Sequence, residues 1–72
     1  MHVTTIYRKR RLEVADLKLT EVARRVGVLL DRSMNRGTLS MIETGRMNPT
    51  LEEADAILHV IEAERLSRVR TS

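Results

Sequence analysis

The stretch from Asn35 to Pro49 carries signals for both ends of a short helix, which limits how the remaining chain can be arranged. The side-chain oxygen of Asn35 can accept a hydrogen bond from a free N–H group in the first turn of a helix. Gly45 can adopt the left-handed conformation that stops a helix, and Pro49 prevents its continuation. Leu39 and Ile42 lie three positions apart and share one face. We therefore predict a short helix with one apolar face on a core.

The amino-acid composition favours packed helices over a sheet. With 72 residues the chain has room for a single domain, spanning residues 1–72. Aromatic residues make up only 1% of the sequence, so the core must consist of aliphatic side chains and methionine. Three glycines and one proline leave few places to turn. We expect an all-α fold.

Several classes of site are disfavoured by the residue types present. The chain has no cysteine and only two histidines, which argues against a disulfide framework or a metal site. No nucleophile and base pair, Gly-rich phosphate loop or cofactor motif is evident, so neither an enzyme nor a bound cofactor is expected. No apolar run approaches the roughly 20 residues that span a bilayer. We expect no membrane partner and a cytoplasmic location.

Charge is unevenly distributed along the chain. Residues 1–50 contain ten Lys or Arg against five Asp or Glu, whereas residues 51–72 contain three against five. Residues 1–50 therefore carry a net positive charge, and residues 51–72 carry a small net negative charge. This asymmetry is typical of a protein with one face on a polyanion, although solvated surface charge gives the same pattern.

Two helices are predicted before the central one. The first covers about residues 3–15 and includes the basic run 8–11, whose side chains either are solvated or partly contact a nucleic acid backbone. The second covers residues 17–28, with Gly27 as its left-handed cap.

Residues 29–34 have no clean period and are interpreted as an elongated turn before the third helix, at about 35–45. The alternative starts that helix earlier, with Asp31 or Ser33 as its cap, and places Gly37 inside it at a cost of about 0.5–1 kcal/mol.

The last helix is predicted from Thr50 to Arg68. Thr50 and Glu53 have the spacing of a capping box. Its buried stripe is predicted to comprise Leu51, Ala54, Ile57, Leu58 and Ile61. Leu66 and Val69 extend an apolar edge beyond this stripe. Residues 62–72 are therefore interpreted either as a dimerisation extension that packs on a second subunit or as a frayed helix end.

The order of these helices resembles a known family. The segment Leu17 to Val28, followed by Thr38 to Glu52 with Ile-Glu-Thr-Gly and Asn-Pro-Thr-Leu, is similar to the lambda-repressor-like (Cro-type, XRE-type) helix-turn-helix regulators. The resemblance covers about residues 3–61. It implies a compact bundle of four to five helices whose third helix lies in the DNA major groove.

The resemblance also implies contacts with double-stranded DNA. The positions that reach base edges in the family correspond to Asn35, Arg36, Ser40 and Met41. An arginine can bind guanine through two parallel hydrogen bonds, and a methionine can touch a thymine methyl group. The positions expected to contact phosphate are Lys18, Thr38, Arg46 and Asn48, and Arg32 in the elongated turn is a further candidate for a phosphate or minor-groove contact.

Glu43 corresponds to an acid that in the family pairs with an arginine of the first helix. Arg11 is the expected partner, or Arg10 if the register differs by one residue. The chain departs from the family at Lys18 and Leu19, where Ser or Thr followed by Gln is usual. It also has about six extra residues, 29–34, before the third helix.

The resemblance leads to two functional hypotheses. The first is a sequence-specific DNA-binding transcriptional regulator, expected to be a bacterial or phage repressor that acts at the nucleoid as a homodimer on inverted half-sites. The alternative is a protein-interaction module, such as an antitoxin or an adaptor, on the same scaffold. Its support is the acidic last part of the chain with Leu66 and Val69.

Overall fold

The computed structural model describes residues 5–71, with side chains up to Val69. Four α-helices follow one another: α1 (Ile6–Leu12), α2 (Leu19–Leu30), α3 (Arg36–Glu43) and α4 (Leu51–Thr71). Residues 5–71 contain no strand, so the predicted all-α bundle with a helix-turn-helix is confirmed. Within that range, no helix is long and apolar enough to span a bilayer.

Helix α1 is shorter than the predicted range 3–15, whose start lies outside the described residues. Thr5 caps it by accepting a hydrogen bond from the N–H group of Arg8. The helix ends at Leu12, and Asp16 is left-handed with φ 60°. An aspartate tolerates this conformation better than most residues. The resulting turn precedes Leu17, which is buried in the core.

Helix α2 does not end at Gly27, so the predicted left-handed cap at this position is wrong. Gly27 is a buried helical residue, and the left-handed residue is Asp31, with φ 53°. A Cβ atom on Gly27 would lie only 2.7 Å from the backbone oxygen of Arg32. The glycine is therefore needed for the close approach of the following chain.

The extension of α2 to Leu30 shortens the predicted turn 29–34 to a connecting segment of residues 31–35. The alternative caps at Asp31 and Ser33 are also wrong, because Asn35 caps α3: its Oδ1 accepts a hydrogen bond from the N–H group of Thr38 at 2.8 Å. The last turn of α2 thus places the half-buried Leu30 side chain against the core.

Helix α3 ends as the sequence predicted, at a left-handed Gly45 with φ 78°. The N–H group of Gly45 donates to the carbonyl of Ile42 at 3.2 Å, and that of Arg46 donates to the carbonyl of Met41 at 2.8 Å. These two bonds form a Schellman motif, which satisfies carbonyl groups at the end of the helix.

The predicted capping box of α4 is confirmed. The N–H group of Thr50 donates to Glu53 Oε1 at 2.9 Å, and the N–H group of Glu53 donates to Thr50 Oγ1 at 3.1 Å.

The predicted stripe is correct at Ile57 and Ile61 but wrong at Leu51, which is 86% exposed. Ala54 and Leu58 are only half-buried, and the buried neighbours of Ile57 and Ile61 are Ala56 and Val60. Leu51 precedes the fully buried Ile57 by six positions, which places it about 120° away around the helix.

The core joins all of these elements. Helix α2 contacts α3 and α4, while α1 contacts α3 and α4. Among the described elements the backbone of α3 lies close to α1 and α2 but not to α4, and side chains of all three of α2, α3 and α4 meet in the core. The largest fully buried side chains are Val22, Val26, Leu39, Ile42, Ile57 and Val60. The helix-turn-helix pair α2 and α3 thus shares one aliphatic core with its supporting helices.

A buried ion pair joins α1 to the end of α3. Arg11 Nε lies 2.7 Å from Glu43 Oε2, Arg11 Nη2 donates to Glu43 Oε1 at 3.1 Å, and Arg11 Nη1 donates to the carbonyl of Leu17 at 3.1 Å. The Glu43 side chain is only 4% exposed. Thr5 Oγ1 also donates to the Glu43 carbonyl at 2.7 Å. Of the two candidate partners, Arg11 makes the contact.

The second half of α4 packs back on the same chain. Glu64 forms ion pairs with both Arg25 and Arg68. Arg68 Nε also donates to the carbonyl of Ala15 at 2.8 Å. These contacts hold α4 against α2 and against the turn after α1.

Hydrogen bonds from Arg65 hold the pKa of the exposed Glu62 below its usual value.

Replacing Arg11 with alanine leaves the buried carboxylate of Glu43 without its charged partner. We therefore expect the free energy of unfolding to fall by roughly 3–5 kcal/mol, measured by urea denaturation and by the melting temperature. Arg24→Ala is the matched control, because it removes an arginine whose pair with Glu21 is exposed, and it should change stability by less than about 1 kcal/mol. A nearly unchanged melt of Arg11→Ala would count against the pair.

Replacing Gly27 with alanine places a methyl group against the backbone oxygen of Arg32. We expect a loss of about 1–3 kcal/mol in the free energy of unfolding, because the backbone must shift to relieve the overlap. Gly37→Ala is the control, since its nearest neighbour is the Asn35 side chain at 3.3 Å, and a change below about 1 kcal/mol is expected. Equal losses in the two variants would refute the close-approach role of Gly27.

Candidate nucleic-acid interface

Helix α3 has a buried face and a solvent face. Leu39, Ile42 and Glu43 are buried, whereas Arg36 and Met41 are exposed. These two are among the four predicted base-reading positions. The other two are also accessible, since Asn35 is exposed and Ser40 is half-buried.

The capping role of Asn35 limits how its side chain can bind a ligand. Its Oδ1 atom already accepts the hydrogen bond that caps α3. The amide NH₂ group of Asn35 makes no such bond and is available to donate. An acceptor on a ligand can therefore bind Asn35 without displacing the cap.

Arg36 lies between two shallow grooves on the surface. One groove runs along the turn between α1 and α2 and is also lined by Lys18 and Thr20. The other runs along α2 and the connecting segment and is also lined by Arg24 and Arg32. The first residue of α3 is thus next to the first turn of α2, and the two elements form one surface.

The basic side chains divide into paired and unpaired groups. Among the described side chains, ion pairs hold Arg11, Arg24, Arg25, Arg32, Arg65 and Arg68. The described cations with no carboxylate in an ion pair are Arg8, Lys9, Arg10, Lys18, Arg36 and Arg46. Three of these unpaired cations lie at the start of α2, at the start of α3 and just after α3. Unpaired cations retain their full attraction for a polyanion.

The predicted phosphate-contacting residues lie at the ends of helices and in a turn. Lys18 is exposed and precedes α2, whose first turn has no side-chain cap. Free N–H groups at such a position favour an anion. Thr38 is half-buried in α3, while Arg46 and Asn48 are exposed in the turn before α4. Neither of the two grooves beside Arg36 includes Arg46 or Asn48.

Arg32 has a partner that sequence reasoning missed. Its Nη2 atom lies 2.7 Å from Glu53 Oε2, and its side chain is 50% exposed. Arg32 was predicted to contact phosphate, and Glu53 was predicted only as a helix cap. The two residues lie 21 positions apart, so no local pattern signals the pair.

Two further residues of this surface were not singled out from the sequence. Thr20 and Arg24 lie four positions apart on the outer face of α2 and line the groove beside Arg36. Hydrogen bonds from Arg24 hold the pKa of the exposed Glu21 below its usual value. The spacing of Thr20 and Arg24 outside the apolar stripe of α2 is the signal that places them on one face.

Apolar side chains are exposed away from α3. Leu66 and Val69, the predicted dimerisation residues, are 49% and 62% exposed and line a shallow hollow on α4. Val28 and Leu29 of α2 are 70% and 52% exposed, and no pattern in the sequence marks them as surface residues. In the part of the chain that the structure describes, no cluster of three His, Cys, Asp or Glu is arranged to hold a metal ion.

Comparison with known proteins identifies the family. The family model described as "Helix-turn-helix" matches residues 8–65, which run from α1 into the second half of α4. No curated protein and no solved structure matches the chain significantly. The family match covers most of the chain, and its bounds contain the complete α2 and α3 pair. The chain therefore belongs to the lambda-repressor-like helix-turn-helix family and is a DNA-binding regulator.

Proposed function

We propose that this protein is a sequence-specific transcriptional repressor that binds inverted DNA half-sites as a homodimer, with α3 in the major groove. The observation that carries the proposal is the position of Arg36. It is exposed, it forms no ion pair among the described residues, and it shares a groove with Lys18 at the start of α2. An unpaired guanidinium at the start of a recognition helix has the reach and the donors for a base edge.

Base recognition is assigned to the exposed side of α3. Arg36 donates two parallel hydrogen bonds to guanine O6 and N7. Met41, which is 38% exposed, contacts a thymine methyl group. Ser40 and the amide of Asn35 add polar contacts, and Asn35 acts as a donor because its oxygen caps the helix.

Phosphate contacts are assigned to residues that flank α3 in space. On one side of α3, Lys18 and the free N–H groups at the start of α2 bind phosphates of the DNA backbone. On the other side of α3, Thr38, Arg46 and Asn48 bind phosphates. These contacts fix the orientation of α3 without reading sequence. Repression then requires only that the bound protein occupies a site needed by the transcription machinery.

Dimerisation is assigned to Leu66 and Val69 on α4. Both side chains are substantially exposed and lie beyond the family match, which ends at residue 65. A two-fold axis near this end of α4 makes the two copies bind half-sites of opposite orientation.

The test is selection of bound sequences from random DNA, followed by affinity measurement at several salt concentrations and sizing of the complex. We expect two inverted motifs about one helical turn apart, and a complex of two chains per site. Lys18 and Arg46 from each copy make four phosphate contacts, which should give a slope of log K against log salt of about −3.6. Affinity that barely moves between low and moderate salt would defeat the proposal.

Substitutions at Arg36 and Lys18 should separate base reading from phosphate binding. Arg36→Ala should weaken binding to the selected site by roughly fivefold to 150-fold for each copy and relax the preference at one base pair of each half-site. Lys18→Ala should weaken selected and random DNA alike and reduce the salt slope by about 0.9 for each copy. The assignment fails if Arg36→Ala weakens all DNA sequences equally.

A second candidate function is binding to a protein partner. It is favoured by Val28 and Leu29, which form an exposed apolar surface on α2 beside His59. Exposed apolar patches on small domains mark protein contacts more often than isolated apolar residues do. A pull-down that recovers a stoichiometric protein partner, together with no measurable DNA affinity, would decide for this function.

A further inference from the structure

The connecting segment, residues 31–35, is a fixed part of the fold. The N–H group of Arg32 donates to the carbonyl of Gly27 at 3.0 Å, and Asp31 adopts the left-handed conformation that makes this contact possible. Met34 packs against the core as a half-buried side chain. The backbone therefore leaves α2 along one defined path towards Asn35.

The side chain of Arg32 adds a connection to α4. Glu53 Oε1 accepts from the N–H group of Thr50 at 2.9 Å, while Glu53 Oε2 accepts from Arg32 Nη2 at 2.7 Å. One carboxylate thus holds the start of α4 and the entry to α3 at the same time. Glu53 is only 16% exposed, so these two donors replace much of its contact with water.

This connection is relevant because the backbone of α3 lies close to α1 and α2 but not to α4 among the described helices. Helices α3 and α4 meet through the side chains of the shared core. The Arg32–Glu53 pair links α4 to the residues just before α3. The pair thus ends three residues before Asn35, the cap of α3.

We propose that Arg32 and Glu53 are positioning residues for the recognition helix, and that Arg32 stays on Glu53 in the DNA complex instead of binding phosphate. Glu53 lies in the first turn of α4, where the helix dipole stabilises its negative charge. To bind Arg32, a DNA phosphate must displace the carboxylate of Glu53. That carboxylate is charged, only 16% exposed and already holds the capping hydrogen bond with Thr50. The part of the proposal that concerns DNA rests on the function proposed above.

Glu53→Gln separates this role from a phosphate contact. Glutamine retains the capping hydrogen bond with Thr50 but cannot form the ion pair. If the pair positions α3, Glu53→Gln and Arg32→Met should each weaken binding to the selected site by about threefold to fivefold. The double variant should be no weaker than either single variant, because the two residues act as one unit.

The competing role gives opposite results. If Arg32 binds phosphate and Glu53 only competes for it, Glu53→Gln should strengthen binding, and Arg32→Met should reduce the salt slope by about 0.9 for each copy. Either result overturns the proposal. Glu21→Gln is the matched control, because it removes the same charge from an exposed pair on α2. It should not weaken binding to the selected site.

A measurement without DNA tests the positioning role directly. Amide hydrogen exchange at Thr38 and Leu39, whose N–H groups are hydrogen-bonded to Asn35, should become about threefold to fivefold faster in Glu53→Gln, while exchange at Val22 and Val26 stays unchanged. Unchanged exchange at the start of α3 would overturn the positioning role. If selection from random DNA enriches no sequence, the proposed function fails. Hydrogen exchange still decides in that case whether the Arg32–Glu53 pair positions α3.

Discussion

The buried pair of Arg11 and Glu43 is the interaction on which the rest of the fold depends. A carboxylate that is 4% exposed is stable only with a charged, hydrogen-bonded partner. Arg11 supplies two of its donors to Glu43 and a third to the carbonyl of Leu17. Thr5 holds the backbone of Glu43 from the other side. One acid at the end of α3 thus sets the position of α1, of α3 and of the turn that leads into α2.

The cations on the protein surface differ in whether they form an ion pair with a carboxylate. On α2 and α4 the described arginines are paired, including Arg25 and Arg68, which share Glu64. Lys18, Arg36 and Arg46 have no such partner among the described side chains. Within the described part of the chain Arg8, Lys9 and Arg10 of α1 also lack one, and the paired Arg24 and Arg32 line the groove beside Arg36. The proposed DNA contacts of Lys18, Arg36 and Arg46 therefore rest on their position beside α3 together with the lack of a described carboxylate partner.

Helix ends were predictable where the capping group and its partner lie within a few residues of each other. The Asn35 cap, the left-handed Gly45 and the capping box of Thr50 and Glu53 all follow from local hydrogen-bonding geometry. The cap at Gly27 was wrong because a glycine serves equally well for a left-handed turn and for a close backbone approach. The local sequence does not distinguish these two uses, and only the path of the Arg32 backbone shows which one applies.

The sequence by itself determined an all-helical fold, the position of α3 and the residues on its exposed side, because apolar spacing and caps are local properties. Family resemblance added an arginine of the first helix as the partner of Glu43, with Arg11 expected and Arg10 as the alternative. Tertiary structure decided that Arg11 makes this pair, that Asp31 ends α2 and that Arg32 binds Glu53. Each of these outcomes depends on packing between elements or on residues distant along the chain. Helices that differ by one residue in register have the same local sequence patterns, and therefore the sequence alone does not distinguish these outcomes.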